Sequence, residues 1–349
     1  MRAPTLRSLA IALALCCGLG AQAQVPRIAP TGGPWPAGAG FAFAKDGKSM
    51  RRSVSGIACG PDAAGRRVCL LAFDEGTQAR FAQLGDGTLL PLAGAVELGT
   101  PGKELDAEGA ATDGSFFYVT GSHAAKRSGC QANAASRYVL RFRRDAATGL
   151  AVPAAAAGLP GAGYQRSDRL YALLQADPAL RQRLGPGGCL GQGGLDIEGL
   201  AVRGGRLYFG LRGPTEAGHA FVVSVDAEAF FGGGDAGLRL ARVQVGERRG
   251  LRDMVATRDG ILLLAGPDDV PAHAQGDWTL SLWDDGADPA VPPRPLAVLD
   301  LAAVALRGCD KETKPEAVTV LQESAQALRV LVLSDGMCDG GALAFDLPR

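Results

Sequence analysis

A repeated strand–turn–strand pattern constrains the fold of this 349-residue chain more than any other feature of its sequence. Its clearest copy covers residues 196–213, with an Asp-Ile-Glu-Gly start, a short apolar run, a Gly-Gly turn and a second apolar run. Short apolar runs joined by a tight glycine turn are typical of antiparallel β-hairpins. This copy therefore predicts one hairpin that begins with carboxylates and ends in a charged tip.

Weaker copies of the same hairpin recur along the chain, and such repetition indicates an array of similar units. They lie at 54–75, 103–123, 250–268 and 314–336. A repeat of about 55 residues leaves room for about four short strands, which is typical of β-propeller blades. The sequence therefore predicts an all-β fold, a β-propeller of five to six blades with six favoured. A pair of β-sandwiches is the alternative fold.

The longest gap between copies indicates an insertion. It holds an Ala-Pro-Gly stretch followed by a leucine-rich stretch that Pro178 interrupts, a spacing that predicts one or two short helices. We expect this insertion at about 146–192, with its helical part near 165–185. A sixth blade would lie in the same gap or be closed by the N-terminal arm at 24–44.

The first 23 residues have the pattern of a secretory signal. Arg2 and Arg7 precede an apolar core at 9–19, and an Ala-Gln-Ala site ends at residue 23. The sequence thus predicts a signal peptide at 1–23 and one propeller domain at 24–349, exported to the periplasm or secreted. After the signal, no apolar run approaches the roughly 18 residues that span a bilayer.

Six cysteines follow this predicted signal, and an even number in an exported chain favours disulfides over metal thiolates. They are Cys59, Cys69, Cys130, Cys189, Cys309 and Cys338. The first two flank a turn-rich loop, so we expect a bond across one hairpin. The last two fall within one C-terminal repeat, and elimination leaves the middle two as a pair.

Matched positions in the copies predict a site on the propeller axis, because the first strand of each blade lines the central channel. The matched position holds Glu108, Glu198 and Glu316 in three copies, Arg252 in a fourth and Ser55 in a fifth. We expect the three glutamates to converge, where they need a cation, a basic ligand, local Arg and Lys, or raised pKa values. The predicted ligand-binding side chains beside them are Asp106, Asp196, Arg212, Arg252, Lys314 and Asp335.

A second polar set follows the second strand of each copy, where hairpin exits place it on one rim of the channel. Its members are Asp74, Glu75, Ser122, His123, Arg212, Asp268, Asp269, Ser334 and Asp335. His123 and Asp253 are the candidates for a general acid or base. The Asp-x-Glu-Gly start also has a purely structural interpretation, in which its carboxylates accept backbone N–H bonds in a turn.

The motifs in combination resemble a bacterial family known only as a domain of unknown function. They are Asp-x-Glu-Gly-Leu-Ala-Val from Asp196, Leu-Arg-Asp at 251–253 and Lys-Pro-Glu at 314–316. The resemblance covers most of the chain after residue 23 and implies an exported protein with a propeller-like fold. It supplies no substrate and no catalytic residues. A looser similarity, carried by Asp-x-Glu-Gly, is to esterase-like phytase domains and implies phosphoester hydrolysis.

Two functions follow from these residues, and the sequence leaves open whether the chain is an enzyme. The first is an exported propeller that binds a small-molecule or extracellular ligand at an acidic channel site, because the charges converge without a recognisable nucleophile. The second is a metal-assisted hydrolase in which Glu108, Glu198 and Glu316 hold Ca²⁺ or Mg²⁺ and His123 or Asp253 is the base. Lys plus Arg equals Asp plus Glu at 36 each, which argues against a nucleic-acid partner. The oligomeric state is not specified.

Overall fold

Five β-sheets surround a central channel in the computed structural model, which describes residues 24–43, 47–99, 103–152, 163–182, 188–286 and 291–349. The short strand β1 (Arg27–Ile28) and helix α1 (Gly47–Met50) precede the first sheet. Blade 1 comprises β2 (Val54–Pro61), β3 (Arg67–Phe73), β4 (Gln78–Gly85) and β5 (Thr88–Glu97). Blade 2 comprises β6 (Ala107–Thr112), β7 (Phe116–Gly121), β8 (Val139–Arg143) and β9 (Gln165–Ser167).

The remaining three blades follow the same antiparallel order from the channel outward. Blade 3 comprises β10 (Asp196–Arg203), β11 (Arg206–Glu216), β12 (His219–Asp226) and β13 (Arg239–Gln244). Blade 4 comprises β14 (Arg249–Thr257), β15 (Gly260–Pro267), β16 (Thr279–Trp283) and β17 (Arg294–Leu299). Blade 5 comprises β18 (Lys314–Glu323), β19 (Ala327–Asp335) and β20 (Leu343–Pro348).

The helices are short and lie outside the sheets. Helices α2 (Arg169–Ala176) and α3 (Pro178–Arg181) follow β9, and α4 (Ala227–Gly232) joins β12 to β13. Helix α2 ends before Pro178 and α3 begins with it, as expected for a residue that disfavours helix in the position before it. Three 3₁₀ segments complete the set: Ala134–Ser136, Pro271–His273 and Cys338–Gly341.

The preference for six blades was wrong, because the described residues form five. In the long gap, the described chain supplies the outer strands β8 and β9 of blade 2 together with α2 and α3. The N-terminal arm adds to existing blades, with β1 parallel to β17. The backbone N–H groups of Thr31 and Trp35 donate to Ala344 of β20 and to Ala342 just before it, at 2.8 and 2.9 Å, so the arm covers the edge of blade 5.

The innermost strands β2, β6, β10, β14 and β18 contact one another in sequence, and β18 returns to β2. This closed ring excludes the alternative of two β-sandwiches. The buried apolar side chains form five clusters, one at each interface between neighbouring blades. Alternate residues of the second strands explain this arrangement: Leu331 and Leu333 face blade 1, whereas Val330 and Val332 face blade 4.

Three disulfides join the six cysteines in the expected pairs: Cys59–Cys69, Cys130–Cys189 and Cys309–Cys338. The first lies across neighbouring strands, since Cys59 of β2 is directly opposite Cys69 of β3. The signal peptide expected at 1–23 lies outside the described residues. Within the described residues, no helix has the length and apolar character needed to cross a membrane.

Candidate functional site

Each innermost strand carries a β-bulge at the position that the repeat alignment matched. The strand pairing shifts register at Ser55, Glu108, Glu198, Arg252 and Glu316. A bulge inserts one extra residue and re-aims the local side chains. The five residues therefore form one layer around the channel, and Arg252 occupies the place that glutamate holds in three other blades.

The second strands end beside this layer, as the hairpin argument predicted. Asp196 pairs with Gly213, the residue after Arg212, and Lys314 pairs with Asp335. We call the charged side chains of this end of the channel the mouth. Seven carboxyl groups and three cations belong to it: Asp74, Asp106, Glu108, Asp196, Glu198, Glu316 and Asp335, with Arg212, Arg252 and Lys314.

Two arginines hold the Glu198 carboxylate. Arg212 Nη1 donates to Glu198 Oε1 at 2.8 Å and lies 3.5 Å from Asp196 Oδ2. Arg252 Nε lies 2.8 Å from Glu198 Oε2 as an ion pair, although the angle does not satisfy a hydrogen bond. Burial raises the pKa of Asp196 to about 8, and the Glu198 charge adds to this effect. The two arginines thus balance the negative charge of Glu198, which is only 3% exposed to solvent.

Glu316 is neutralised in the same way. The guanidinium of Arg252 donates to Glu316 Oε1, and Lys314 Nζ lies 2.7 Å from the same oxygen. Ser55 Oγ donates to Glu316 Oε2 at 3.4 Å. Lys314 Nζ also donates to Asp335 Oδ2 at 2.9 Å. Each of the three mouth cations is therefore shared between two carboxylates.

The side of the mouth formed by blades 1 and 2 has acids without cations. Among the described residues, Glu108 has neither an ion pair nor a hydrogen bond to its side chain, and it is half-buried. Asp106 accepts a hydrogen bond from Ser122 Oγ, and Asp74 Oδ1 is buried without a partner. Burial raises the pKa of Glu108 well above its ordinary value, and the charges of Glu198, Asp106, Asp74 and Asp196 raise it further.

Asp74 belongs to this same group of acids. Burial raises its pKa to about 7, and the neighbouring Asp335 and Asp106 charges contribute, while Lys314 opposes them. The sequence predicted Asp74 on the rim of the channel, and Glu108, Glu198 and Glu316 as one matched set of acids. The structure divides them into an ion-paired group and an unpaired group.

Among the described residues, neither of the two candidates for a general acid or base makes a side-chain contact with the unpaired acids. Asp253 is fully buried and accepts backbone hydrogen bonds from Met254 and Val318, both at 2.7 Å, so its carboxylate joins β14 to β18. His123 is 1% exposed, and burial lowers its pKa to about 3, with Arg137 as its charged neighbour. Neither ring nitrogen has a hydrogen-bond partner among the described residues.

A metal site built from the three glutamates does not fit this arrangement. The Arg252 guanidinium contacts both Glu198 and Glu316, so a divalent cation between them would face a fixed positive charge. Within the described chain, the ligand atoms that lie close enough to share an ion belong to Cys309, Asp310 and Cys338. Both of those cysteines are disulfide-bonded and cannot supply thiolates.

Below the ion-paired layer, the channel contains a cavity of about 160 Å³, and most of the side chains that line it are apolar. Residues two to four positions further along the five innermost strands line it, among them Ile57, Ala110, Leu200, Met254 and Val320. Arg252, Glu198 and Glu316 are at most 4% exposed. Charged side chains therefore line the mouth, and mostly apolar side chains line the cavity further along the same channel.

A glycine-rich segment beside the mouth was missed at the sequence level. We call residues 188–194, with the sequence Gly-Cys-Leu-Gly-Gln-Gly-Gly, the strap. Asp269 Oδ2 accepts hydrogen bonds from the backbone N–H groups of Gly191 and Gly193 at 2.7 and 3.2 Å. The signal that could have identified it is the density of glycine immediately before the clearest repeat.

Comparison with known proteins identifies a family and leaves the activity open. The chain matches a family described as a protein of unknown function over residues 69–144 and 143–340. No curated protein matches its sequence.

Several solved structures are similar at low identity. A GH43 β-1,3-galactosidase is 10% identical over 93% of this chain and 60% of its own, with a TM-score of 0.45. A GH43 enzyme from Xanthomonas citri complexed with xylose is 9% identical over 86% and 88% of the two chains, with a TM-score of 0.43. The GH43 endo-arabinanase from Bacillus licheniformis is 9% identical over 85% of this chain and 94% of its own, with a TM-score of 0.36. The present chain spans less than two thirds of the first of these proteins, and scores this low carry no argument about activity.

Proposed function

Because the chain belongs to the DUF3616 family of proteins of unknown function, its own site must support any assignment, and we propose that its mouth binds a ligand with a protonated amino group. The observation that carries the proposal is the unequal pairing of charges. Every mouth cation is shared between two carboxylates, whereas Glu108 has no partner among the described residues. An ammonium group placed there would favour the ionised form of these acids, whose pKa values burial and their neighbouring carboxylates raise.

The same distribution of charge disfavours anionic ligands. Arg212 and Arg252 are held by Glu198, and Lys314 is held by Glu316 and Asp335. An anion would have to displace one of these carboxylates and would meet the remaining acids of the mouth. Phosphoester hydrolysis with Ca²⁺ or Mg²⁺ therefore stays a prediction of the sequence without support from these contacts.

Glu108 gives the direct test, with probes that differ in the charge of one group. We expect glucosamine or putrescine to raise the melting temperature of the protein, and N-acetylglucosamine, diacetylputrescine and glucose 6-phosphate to leave it unchanged. Glu108→Gln should weaken binding of the free amine at least about tenfold in calorimetry, since it removes the carboxylate that contacts the ammonium.

The control is Asp86→Asn, which removes one negative charge from an exposed turn between β4 and β5. It should bind the amine as the wild type does. Binding of glucose 6-phosphate in place of the amines, or equal binding of free and acetylated amines, would rule out the proposal.

A further inference from the structure

The strap is held by a disulfide, by hydrogen bonds and by the main chain, because Gly194 is followed by buried Leu195 and by Asp196, the first residue of β10. The disulfide Cys130–Cys189 ties its beginning to the loop that follows β7 in blade 2. At its other end, the two hydrogen bonds to Asp269 tie it to blade 4. The strap therefore reaches across the rim of blade 3, from one neighbouring blade to the other.

The polar attachment adjoins the mouth. An added Cβ on Gly213 would lie 2.6 Å from the Gly194 carbonyl oxygen and 3.1 Å from Asp269 Oδ1. The strap, Asp269 and the end of β11 next to Arg212 are therefore in close contact. Gly213 directly follows Arg212, whose charge faces Asp196 and Glu198. Asp269 itself is 3% exposed, and its Oδ1 is buried without a hydrogen-bond partner.

The sequence of the strap allows its middle, residues 190–193, to move. Four of its seven residues are glycine, and Gly191 and Gly193 have positive φ of 83° and 72°. Its internal hydrogen bonds are short-range, from Gln192 and Gly194 to the Cys189 carbonyl. Residues 190–193 can lift when the two bonds to Asp269 break, because the disulfide at Cys189 and the main chain at buried Leu195 hold the two ends.

We infer that the strap is a gate beside the mouth, latched by Asp269 and anchored at Cys189 and Leu195. With the latch closed, the strap packs on the wall next to Arg212 and narrows the approach to the mouth from blades 2 to 4. With the latch open, a ligand enters and leaves on that side. The role in ligand exchange rests on the proposed function, whereas the latch itself does not.

Amide hydrogen exchange in the full chain tests the latch without any ligand. In Asp269→Ala, the Gly191 and Gly193 amides should exchange at least about tenfold faster than in the wild type, while Val222 in β12 keeps its protection. The matched control is Asp235→Ala, which removes an exposed carboxylate that accepts a backbone hydrogen bond from Gly237 at 2.9 Å. Strap amides that remain equally protected in folded Asp269→Ala would overturn the inference.

Asp269→Asn provides a second variant if the alanine variant does not fold, since it keeps the volume and one acceptor oxygen. It should give a smaller acceleration at the same two amides, and no acceleration there would also overturn the latch. The second readout is the dissociation rate of an amine found to bind the wild type, which should rise in both variants. An open latch with an unchanged rate would refute the gate and leave the proposed function intact, whereas absence of amine binding in the wild type would refute only the proposed function.

Discussion

At the scale of single residues, the site is organised by Arg252. The repeat places it where three other blades have glutamate, and its guanidinium contacts both Glu198 and Glu316. Burial lowers the pKa of Arg252 to about 10, which still leaves it charged at neutral pH. One residue of opposite sign in the repeat thus gives two buried carboxylates a shared cationic partner, and an unpaired buried charge would cost several kcal/mol.

The raised pKa of Asp74 predicts how stability depends on pH. An aspartate titrates near 3.9 when unfolded, whereas the folded chain holds the proton of Asp74 to about pH 7. The folded state therefore binds the proton more tightly, and its stability falls as pH rises through that window. Asp74→Asn should remove this loss, so the melting temperature of the variant relative to wild type should increase between pH 4 and 8. With Asp86→Asn the difference should stay constant, and a constant difference for Asp74→Asn would contradict the assignment.

At the scale of elements, the arm and blade 5 depend on each other. Blade 5 has three strands, whereas blades 1 to 3 have four and the sheet of blade 4 has a fifth in β1. An uncovered edge of β20 would expose unpaired backbone groups. The arm supplies hydrogen bonds from Thr31 and Trp35 to this edge. The Trp35 side chain also packs in the cluster between blades 5 and 1. The arm therefore closes the ring without forming a blade of its own.

Trp35→Ala tests this role of the arm. The indole is 8% exposed, and truncation of a buried tryptophan costs about 3–5 kcal/mol. We expect a loss of about 3 kcal/mol in the free energy of unfolding in urea, since part of the cavity can collapse. Val291→Ala, at a side chain that is 50% exposed, should change it by less than about 0.5 kcal/mol. A loss of the same size in both variants would show that Trp35 has no special part in closure.

At the scale of the whole molecule, glycines set the distance between neighbouring blades. A Cβ on Gly109 of β6 would lie 2.7 Å from Leu200 Cβ and 2.8 Å from the Glu198 carbonyl oxygen, both on β10. The glycine follows directly after the bulge at Glu108 and permits the innermost strands to touch. The width of the mouth is thus fixed by backbone contact between blades.

Gly109→Ala should force blades 2 and 3 apart. Overpacking of this kind costs about 1–3 kcal/mol in the free energy of unfolding, which urea denaturation measures. Gly232→Ala is the matched control, because nothing lies within 4 Å of its added Cβ at the end of α4. It should leave stability unchanged or raise it by up to about 1 kcal/mol through helix propensity. Equal effects at the two glycines would refute close blade contact at Gly109.

Local patterns in the sequence determined the strands, the hairpin turns, the repeat and even the register of the site. The match of Ser55, Glu108, Glu198 and Glu316 with Arg252 reappears as a bulge in each innermost strand. These features are predictable because apolar alternation and turn chemistry act between residues close in the chain. Two disulfide pairs were predictable for a related reason, since Cys59 with Cys69 and Cys309 with Cys338 each lie within one repeat. Elimination then left the third pair.

Only the tertiary structure decided how many blades close the ring and which acids of the mouth have a partner. The arm covers β20 through Thr31, whose backbone N–H and hydroxyl both donate to the carbonyl of Ala344, 313 positions further along the chain. Arg252 and Glu316 are 64 positions apart, yet the Arg252 guanidinium donates a hydrogen bond to the Glu316 carboxylate. Glu108, at the equivalent position of its own blade, has no such partner among the described residues. Charge pairing depends on distance and burial in the folded state, and no periodicity in the sequence encodes either quantity.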